Sequence, residues 1–330
     1  MQKRIYVICP AYTKTGGTEL LHQLVFALHQ LKIDARIVYT DHTKGSVSPI
    51  PKDFNIYINS FEFIENISPN QNDVVVIPEY NIELIDYFKS SIIFVWWLSV
   101  DNYLKKYSMV FSYRLSGLSG LFRYIRRRGW RYNTSRIISR IDCNLAQSNY
   151  AIHYLSSKNF VNIQYLSDYI NHDYMHVSNT LHREDIVLYN PKKGLKFTQY
   201  LMSLAPDLRW TPIINLSTLQ VRDLLLRSKV YIDFGNHPGK DRFPREAAMC
   251  GACIITGKNG SAAFNDDLPI PSSYKFNNKK EEGKQIITCI KDCLTNYSEK
   301  NHDFDSYRVF IKNEERQFNA DVAKIFLPLI

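Results

Sequence analysis

No apolar run in this sequence approaches the ~18 residues that a membrane-spanning helix needs. The longest candidate, Ile92 to Val100, has the length of a strand and carries Trp96 and Trp97. The opening segment MQKRIYVICPAY leads straight into a strand-like run. It has no long apolar stretch followed by small residues, so no signal peptide is expected. There is no repeat at a fixed period and no low-complexity tract. Cys250 and Cys253 have CxxC spacing, but no second Cys or His pair lies nearby at zinc spacing, which argues against a structural zinc site. A GxGxxG turn followed about 20 residues later by an acid is missing, which argues against a dinucleotide oxidoreductase; the Walker lysine is missing as well. No acidic pair of metal-binding type ends a strand, so no metal is expected. With six cysteines placed mostly in apolar runs, where reduced Cys acts as a small hydrophobe, a reducing cytosol fits best.

What the chain does have is an ordinary globular composition, 45% hydrophobic and 22% charged, which excludes disordered, collagen-like and coiled-coil classes. Its 330 residues suggest two domains at about 150 residues each. The 41 Lys and Arg exceed the 32 Asp and Glu by nine. A surplus of that sign points to an anionic partner: nucleic acid, a phosphorylated ligand or a lipid surface.

Short β-branched runs recur at Ile5–Cys9, Ala35–Tyr39, Asp73–Ile77, Ile92–Trp97, Ile141–Ala146, Ile163–Leu166, Ile186–Tyr189, Thr211–Ile214, Val230–Phe234 and Ala252–Thr256. Most are continuously apolar rather than alternating, as in parallel sheets covered on both faces. Helical patterns lie between several of them. After Gly16-Gly17, residues Leu20, Leu21, Leu24, Val25, Leu28 and Leu31 form one stripe, with Thr18 as the expected cap and Glu19 at the positive end. Ser217 and Gln220 form a capping-box pattern ahead of Leu224 and Leu225. The alternation predicts α/β layers with parallel sheets. The polar stretch SDYINHDYMHVSNTLHRED is the expected boundary, and the cleft between the halves is the default ligand site.

Four loops could hold an anion. In CPAYTKTGGTELL, Gly16 and Gly17 allow close backbone approach where a helix starts, although an ordinary βα turn would look the same. In VYIDFGNHPGKDRFPREAAMCG, a strand leads into a loop with His237, Lys240 and Asp241. Pro244 suits the first turn of a following helix, which Gly251 ends. Lys240, Arg242 and Arg245 are expected to converge at that helix start, where a departing phosphate would need positive charge, and Glu246 could accept from ribose hydroxyls. Lys192, Lys193 and Gly194 form a turn that could face a phosphate or simply be exposed. Gly257 to Ser261, including Gly260, could add amides to the same cradle. At the ends of two strands of the first half, Asp101 and Glu79 are candidate bases or acceptor-hydroxyl ligands; for Asp101 a helix N-cap is the competing reading.

Residues 113–141 hold Arg114, Arg123, Arg126, Arg127, Arg128, Arg131, Arg136 and Arg140 and no acid, interleaved with Leu118, Leu121, Phe122, Ile125 and Trp130. A basic amphipathic segment with aromatic anchors reads as a membrane-surface element; RNA binding and a plain solvated helix are the alternatives. No nucleic-acid module is recognisable elsewhere, so no nucleic-acid partner is expected.

The Gly-Gly-Thr-Glu helix start, the stretch LAQSNYAIHYL and the stretch REAAMCGACIIT resemble the GT-B glycosyltransferases, most closely bacterial enzymes of surface-polysaccharide synthesis such as lipopolysaccharide O-antigen or capsule. The resemblance runs from residue 5 to about 265. It implies two Rossmann-like parallel-sheet domains facing a cleft. Residues 1–168 would bind the acceptor and 169–308 the nucleotide-sugar donor, and 309–330 would form a helix crossing back. In that family a pair of glutamates grips the donor. Glu246 matches the second, but Pro238 stands where the first would be. Asp241 or His237 could substitute, which leaves the stereochemistry open. His237-Pro238 is also similar to the His-Pro pair of sialyl- and Kdo-transferases, which use CMP-sugars. The expectation is a metal-independent, cytoplasmic sugar transferase at the inner face of the cytoplasmic membrane, needing no cofactor beyond its nucleotide-sugar co-substrate. Lys240, Arg242 and Glu246 would act on the donor and Asp101 on the acceptor. Gly16, Gly17, Lys192, Lys193, His237, Arg245, Gly260 and Ser261 would bind the donor, and Glu79 the acceptor. The rivals are a CMP-sugar transferase on the same fold and a non-catalytic protein binding RNA, another anion or a lipid surface.

Overall fold

The computed structural model describes residues 3–40, 48–175 and 182–330. It forms two compact units, Met1–Asp168 with Arg316–Ile330, and Tyr169–Glu315. Residues 176–181 of the expected boundary stretch lie outside the described residues.

The first unit runs β1 (Ile5–Pro10), α1 (Gly16–Gln30), β2 (Ala35–Thr40), β3 (Glu62–Phe63), β4 (Val74–Pro78), β5 (Ile92–Trp97), α2 (Val100–Tyr107), α3 (Met109–Arg126), α4 (Thr134–Ile137), β6 (Cys143–Ala146), α5 (Asn149–Ser157) and β7 (Ile163–Tyr165). Its sheet has the order β3-β2-β1-β4-β5-β6-β7. Every pairing is parallel, with Ile5 of β1 opposite Ala35 on one side and Val74 on the other. Val74 to Ile77 are completely buried, which explains the unbroken apolar runs.

The second unit runs β8 (Glu184–Tyr189), α6 (Leu195–Leu204), β9 (Arg209–Pro212), α7 (Thr218–Arg227), β10 (Ser228–Asp233), α8 (Arg242–Met249), β11 (Cys253–Gly257), β12 (Lys275–Phe276), α9 (Gly283–Thr295), α10 (Tyr297–Lys300) and α11 (Asp305–Phe326). Its sheet order is β12-β11-β10-β8-β9, again all parallel. The last turns of α11 count with the first unit, where Phe318 stacks on Trp96 (centroids 6.4 Å apart) and Phe326 lies 5.9 Å from Phe94. Cys250 and Cys253 are buried in the second core, and burial pushes the Cys250 thiol up to about 12, as for an inert packing residue.

Several local expectations need correction. The helix after Gly16 is capped by Thr15, not Thr18. Thr18 occupies the third helical position, and its hydroxyl oxygen accepts from the Thr15 amide (2.9 Å), completing a capping box. The predicted box at Ser217 and Gln220 is formed as read. β9 starts two residues earlier than Thr211 and stops at Pro212; it is an edge strand, so its sequence pattern is less apolar. The two-residue strands β3 and β12 carry too little pattern to be seen in advance.

In both sheets the strand order reverses once. The reversal lies between β1 and β4 in the first unit and between β8 and β10 in the second. Open α/β sheets bind ligands beyond the carboxyl ends of the strands at such a point. Those ends carry Gly16-Gly17 and Glu79 in one unit, and Lys192 to Gly194 and Phe234 to Arg242 in the other.

Candidate functional site

The second unit's switch point is built by three loops in close backbone contact. At Gly194, with φ near +62°, a Cβ would lie 2.5 Å from the Phe234 carbonyl. At Gly260, also near +62°, it would lie 2.0 Å from the His237 oxygen. Glycine is required at both places by backbone conformation and by space. Ser261 fastens the third loop. Its amide donates to His237 O (2.9 Å) and its hydroxyl to Gly239 O (2.6 Å). Gly260 and Ser261 therefore brace the 237–239 loop.

Beneath these loops runs a buried polar chain. Asp233, at the end of β10, accepts from the Tyr231 hydroxyl (3.0 Å) and the Gly235 amide (2.9 Å). His237 faces it, with Nε2 3.5 Å from Asp233 Oδ1 and Nδ1 3.7 Å from Asp241 Oδ2. Lys193 pairs with the same Asp241 oxygen. Burial favours the neutral form of each group, but the attraction between Asp233 and His237 prevails. The carboxyl falls to about 2 and the imidazole rises above its ordinary value. Among the described residues, Asp233, His237 and Asp241 form a group that could ligate a metal, with ligand atoms within 4.8 Å of one another. The Tyr231, Gly235 and Lys193 donors already meet those carboxylates, while His237 Nε2 is buried without a hydrogen-bond partner. His237 is almost wholly buried between the two carboxylates.

The expected convergence of three cations is also corrected. Arg245 is fully buried; it donates to Asp241 O (3.2 Å) and Lys240 O (3.2 Å) and pairs with Glu314 Oε2 at 2.9 Å. Lys240 Nζ lies 2.6 Å from the other Glu314 oxygen. One carboxylate on α11 thus draws two cations inward, because a buried charge needs a partner. Sequence reading missed Glu314, although a signal was present. It lies at helical spacing between the buried Ile311 and Phe318, so an acid occupies a core stripe. Arg242 and Glu246 stay half-buried on α8, which Asp241 caps (Oδ1 to the Arg242 amide, 3.1 Å). Lys192 is exposed and Lys193 half-buried.

In the first unit, α1 presents its capped N-terminus with Gly16 and Gly17 half-buried. Glu79 is buried and accepts from the Leu98 amide at 2.9 Å, joining the ends of β4 and β5. Burial lifts its carboxyl to about 8, so it is mostly protonated at neutral pH. Asp101 lies in the first turn of α2, whose cap is Ser99, and accepts from the Tyr150 hydroxyl at 3.0 Å. The N-cap reading of Asp101 is therefore corrected.

No family model and no curated protein sequence matches the chain. Solved structures do. Sucrose-phosphate synthase from Thermosynechococcus elongatus aligns at TM-score 0.68 with 12% identity, over 99% of each chain. HepE from Anabaena, solved in complex with UDP-glucose, aligns at 0.65 with 9% identity, over 98% of this chain and 99% of its own. WaaG, a glycosyltransferase involved in lipopolysaccharide biosynthesis, aligns at 0.55 with 10% identity, over 97% and 99%. With its two all-parallel sheets and their covering helices, the chain has the two-domain α/β fold of the GT-B glycosyltransferases.

Proposed function

We propose that the chain is a metal-independent glycosyltransferase that moves a sugar from a nucleotide-sugar donor to a glycan or lipid-linked acceptor in bacterial surface-polysaccharide synthesis. One observation carries this reading. At the switch point of the second sheet, Asp241 pairs with Lys193 and caps the start of α8 at the Arg242 amide, and Arg242 and Glu246 stand half-buried on that helix. A helix start with fixed cations suits a nucleoside diphosphate. Arg242 would stabilise the departing phosphate as the glycosidic bond breaks, with Lys193 and Lys192 beside it. Glu246 would accept from the ribose hydroxyls. Lys240, Arg245 and His237 would act one step back, holding the loop that carries Arg242. In the first unit, Gly16 and Gly17 open α1, a helix start that also suits an anion. Asp101 would take the acceptor hydroxyl proton, since Glu79 already holds one at neutral pH.

The likeness to HepE and WaaG supports donor class and setting by analogy. No helix among the described residues is long and apolar enough to cross a membrane. We place the enzyme in the cytoplasm, at the inner face of the membrane.

The test is a thermal-shift and donor-hydrolysis panel with UDP-, GDP- and CMP-sugars. One class should raise the unfolding midpoint and release its nucleotide slowly. Stabilisation by the CMP-sugar alone would favour the sialyl- or Kdo-type alternative. Stabilisation by RNA alone, with no donor turned over, would sink the enzyme reading.

A further inference from the structure

Residues 109–131 do not form the single amphipathic helix that their composition suggests. Helix α3 is broken at Gly117, where φ is +57° and ψ −142°. At Gly120 a Cβ would lie 2.0 Å from the carbonyl oxygen of Ser112, eight residues earlier. In a straight helix those positions would be about 12 Å apart along the axis. The chain therefore bends sharply into an elbow, and Gly120 is required for the two arms to touch.

The elbow exposes what a soluble surface normally hides. Leu118 is 77% exposed, Phe122 67% and Leu115 57%. Arg114 and the run Arg126–Arg128 are exposed on the same two arms, and no Asp or Glu occurs between residues 109 and 141.

We propose that this elbow is a wedge that inserts Leu118 and its neighbours into an anionic lipid bilayer while the arginines bind headgroups. Charge selects this occupant. A second copy docked by a two-fold axis would set arginines against arginines. RNA would stack on aromatic faces; Tyr113, Phe122 and Trp130 are exposed along the arms, but the most exposed side chain, at the bend, is the aliphatic Leu118. A basic rim around an aliphatic tip is the pattern of interfacial insertion. The inference draws its purpose, holding the enzyme at a lipid-linked acceptor, from the proposed function. Lipid binding is measured without any donor, so the two can fail separately.

The test is flotation of the full chain with vesicles of phosphatidylcholine alone or mixed with phosphatidylglycerol, at low and high salt. The protein should float with the anionic vesicles at low salt only. Arg126→Ala, Arg127→Ala and Arg128→Ala together should weaken binding about a hundredfold. Leu118→Asp should weaken it about tenfold or more without lowering the unfolding midpoint. A tryptophan placed by Leu118→Trp should be quenched by bromine-labelled acyl chains beyond the wild-type signal. Failure of wild type to bind anionic vesicles, equal binding by the triple-arginine variant, or no quenching would overturn the wedge. Preference for an RNA oligonucleotide over vesicles, or a dimer that Leu118→Asp dissociates, would overturn it too.

Discussion

Residues 240–246 and 114–131 both set several cations among apolar side chains, and the fold treats them in opposite ways. In the first stretch Lys240 and Arg245 are buried against Glu314. In the second the arginines around Gly117 stay at the surface. Cation density does not decide the outcome; a carboxylate within reach does. Where one is supplied by a distant element, the cations become scaffold. Where none is seen among the described residues, as for the exposed Arg114 and Arg126–Arg128, they remain available to an external anion.

The largest expected effect comes from removing that carboxylate. Glu314→Gln leaves two buried cations without their counter-charge, and should lower stability by about 3–5 kcal/mol in urea unfolding. A loss under about 1 kcal/mol would mean that the pair is not what holds the 240–246 loop. Next is the contrast within α8. Arg242→Ala should cut donor turnover about 10²–10³-fold with the unfolding midpoint unchanged, whereas Arg245→Ala should lose stability along with activity. Equal behaviour of the two variants would erase the distinction between the half-buried and the buried arginine.

A smaller effect tests the Asp233–His237 pair. The His237 imidazole is raised, so its contribution is full below the ordinary imidazole range and fades as pH climbs through the raised value. The Asp233 carboxyl is lowered to about 2, so its contribution is present above the ordinary carboxylate range and fades as pH falls toward that value. Stability should thus decline on both sides of a mildly acidic plateau, and His237→Asn should flatten the alkaline limb. An unaltered alkaline limb would show that the pair is not charged.

The smallest effect carries the comparison to the first unit, where burial of Glu79 outweighs its backbone hydrogen bonds and the attraction of Lys106. Its carboxyl is raised to about 8, so folding holds a proton there that the unfolded chain has released by pH 6, and stability falls as pH rises toward 8. Glu79→Gln mimics the protonated form, and should raise the unfolding midpoint by roughly 3–6 °C at pH 8 and little at pH 5. A lower midpoint at pH 8 would mean that the ionised carboxylate is the favoured form.

The parallel sheets were legible because buried strands leave continuous apolar runs, as in Ile92–Trp97, and helix starts because capping is local, as at Ser217. What was hidden depends on long-range partners. That Lys240 and Arg245 turn inward is set by a residue some seventy positions away. That α3 bends at Gly117 is set by a backbone conformation for which glycine is necessary but not diagnostic. That His237 faces two carboxylates and that Ser261 ties down the 237–239 loop are likewise long-range contacts that sequence position does not foretell. Arg242 was read as a donor cation and lies half-buried at the start of α8, where donor binding can test it.

The most direct test of the central claim is calorimetric titration of UDP, GDP and CMP into wild type and into Arg242→Ala. The account predicts that one nucleotide binds wild type and loses at least about tenfold in affinity to the variant, while Lys192→Ala loses less. Binding of equal strength by wild type and Arg242→Ala, or no binding of any nucleotide, would contradict it.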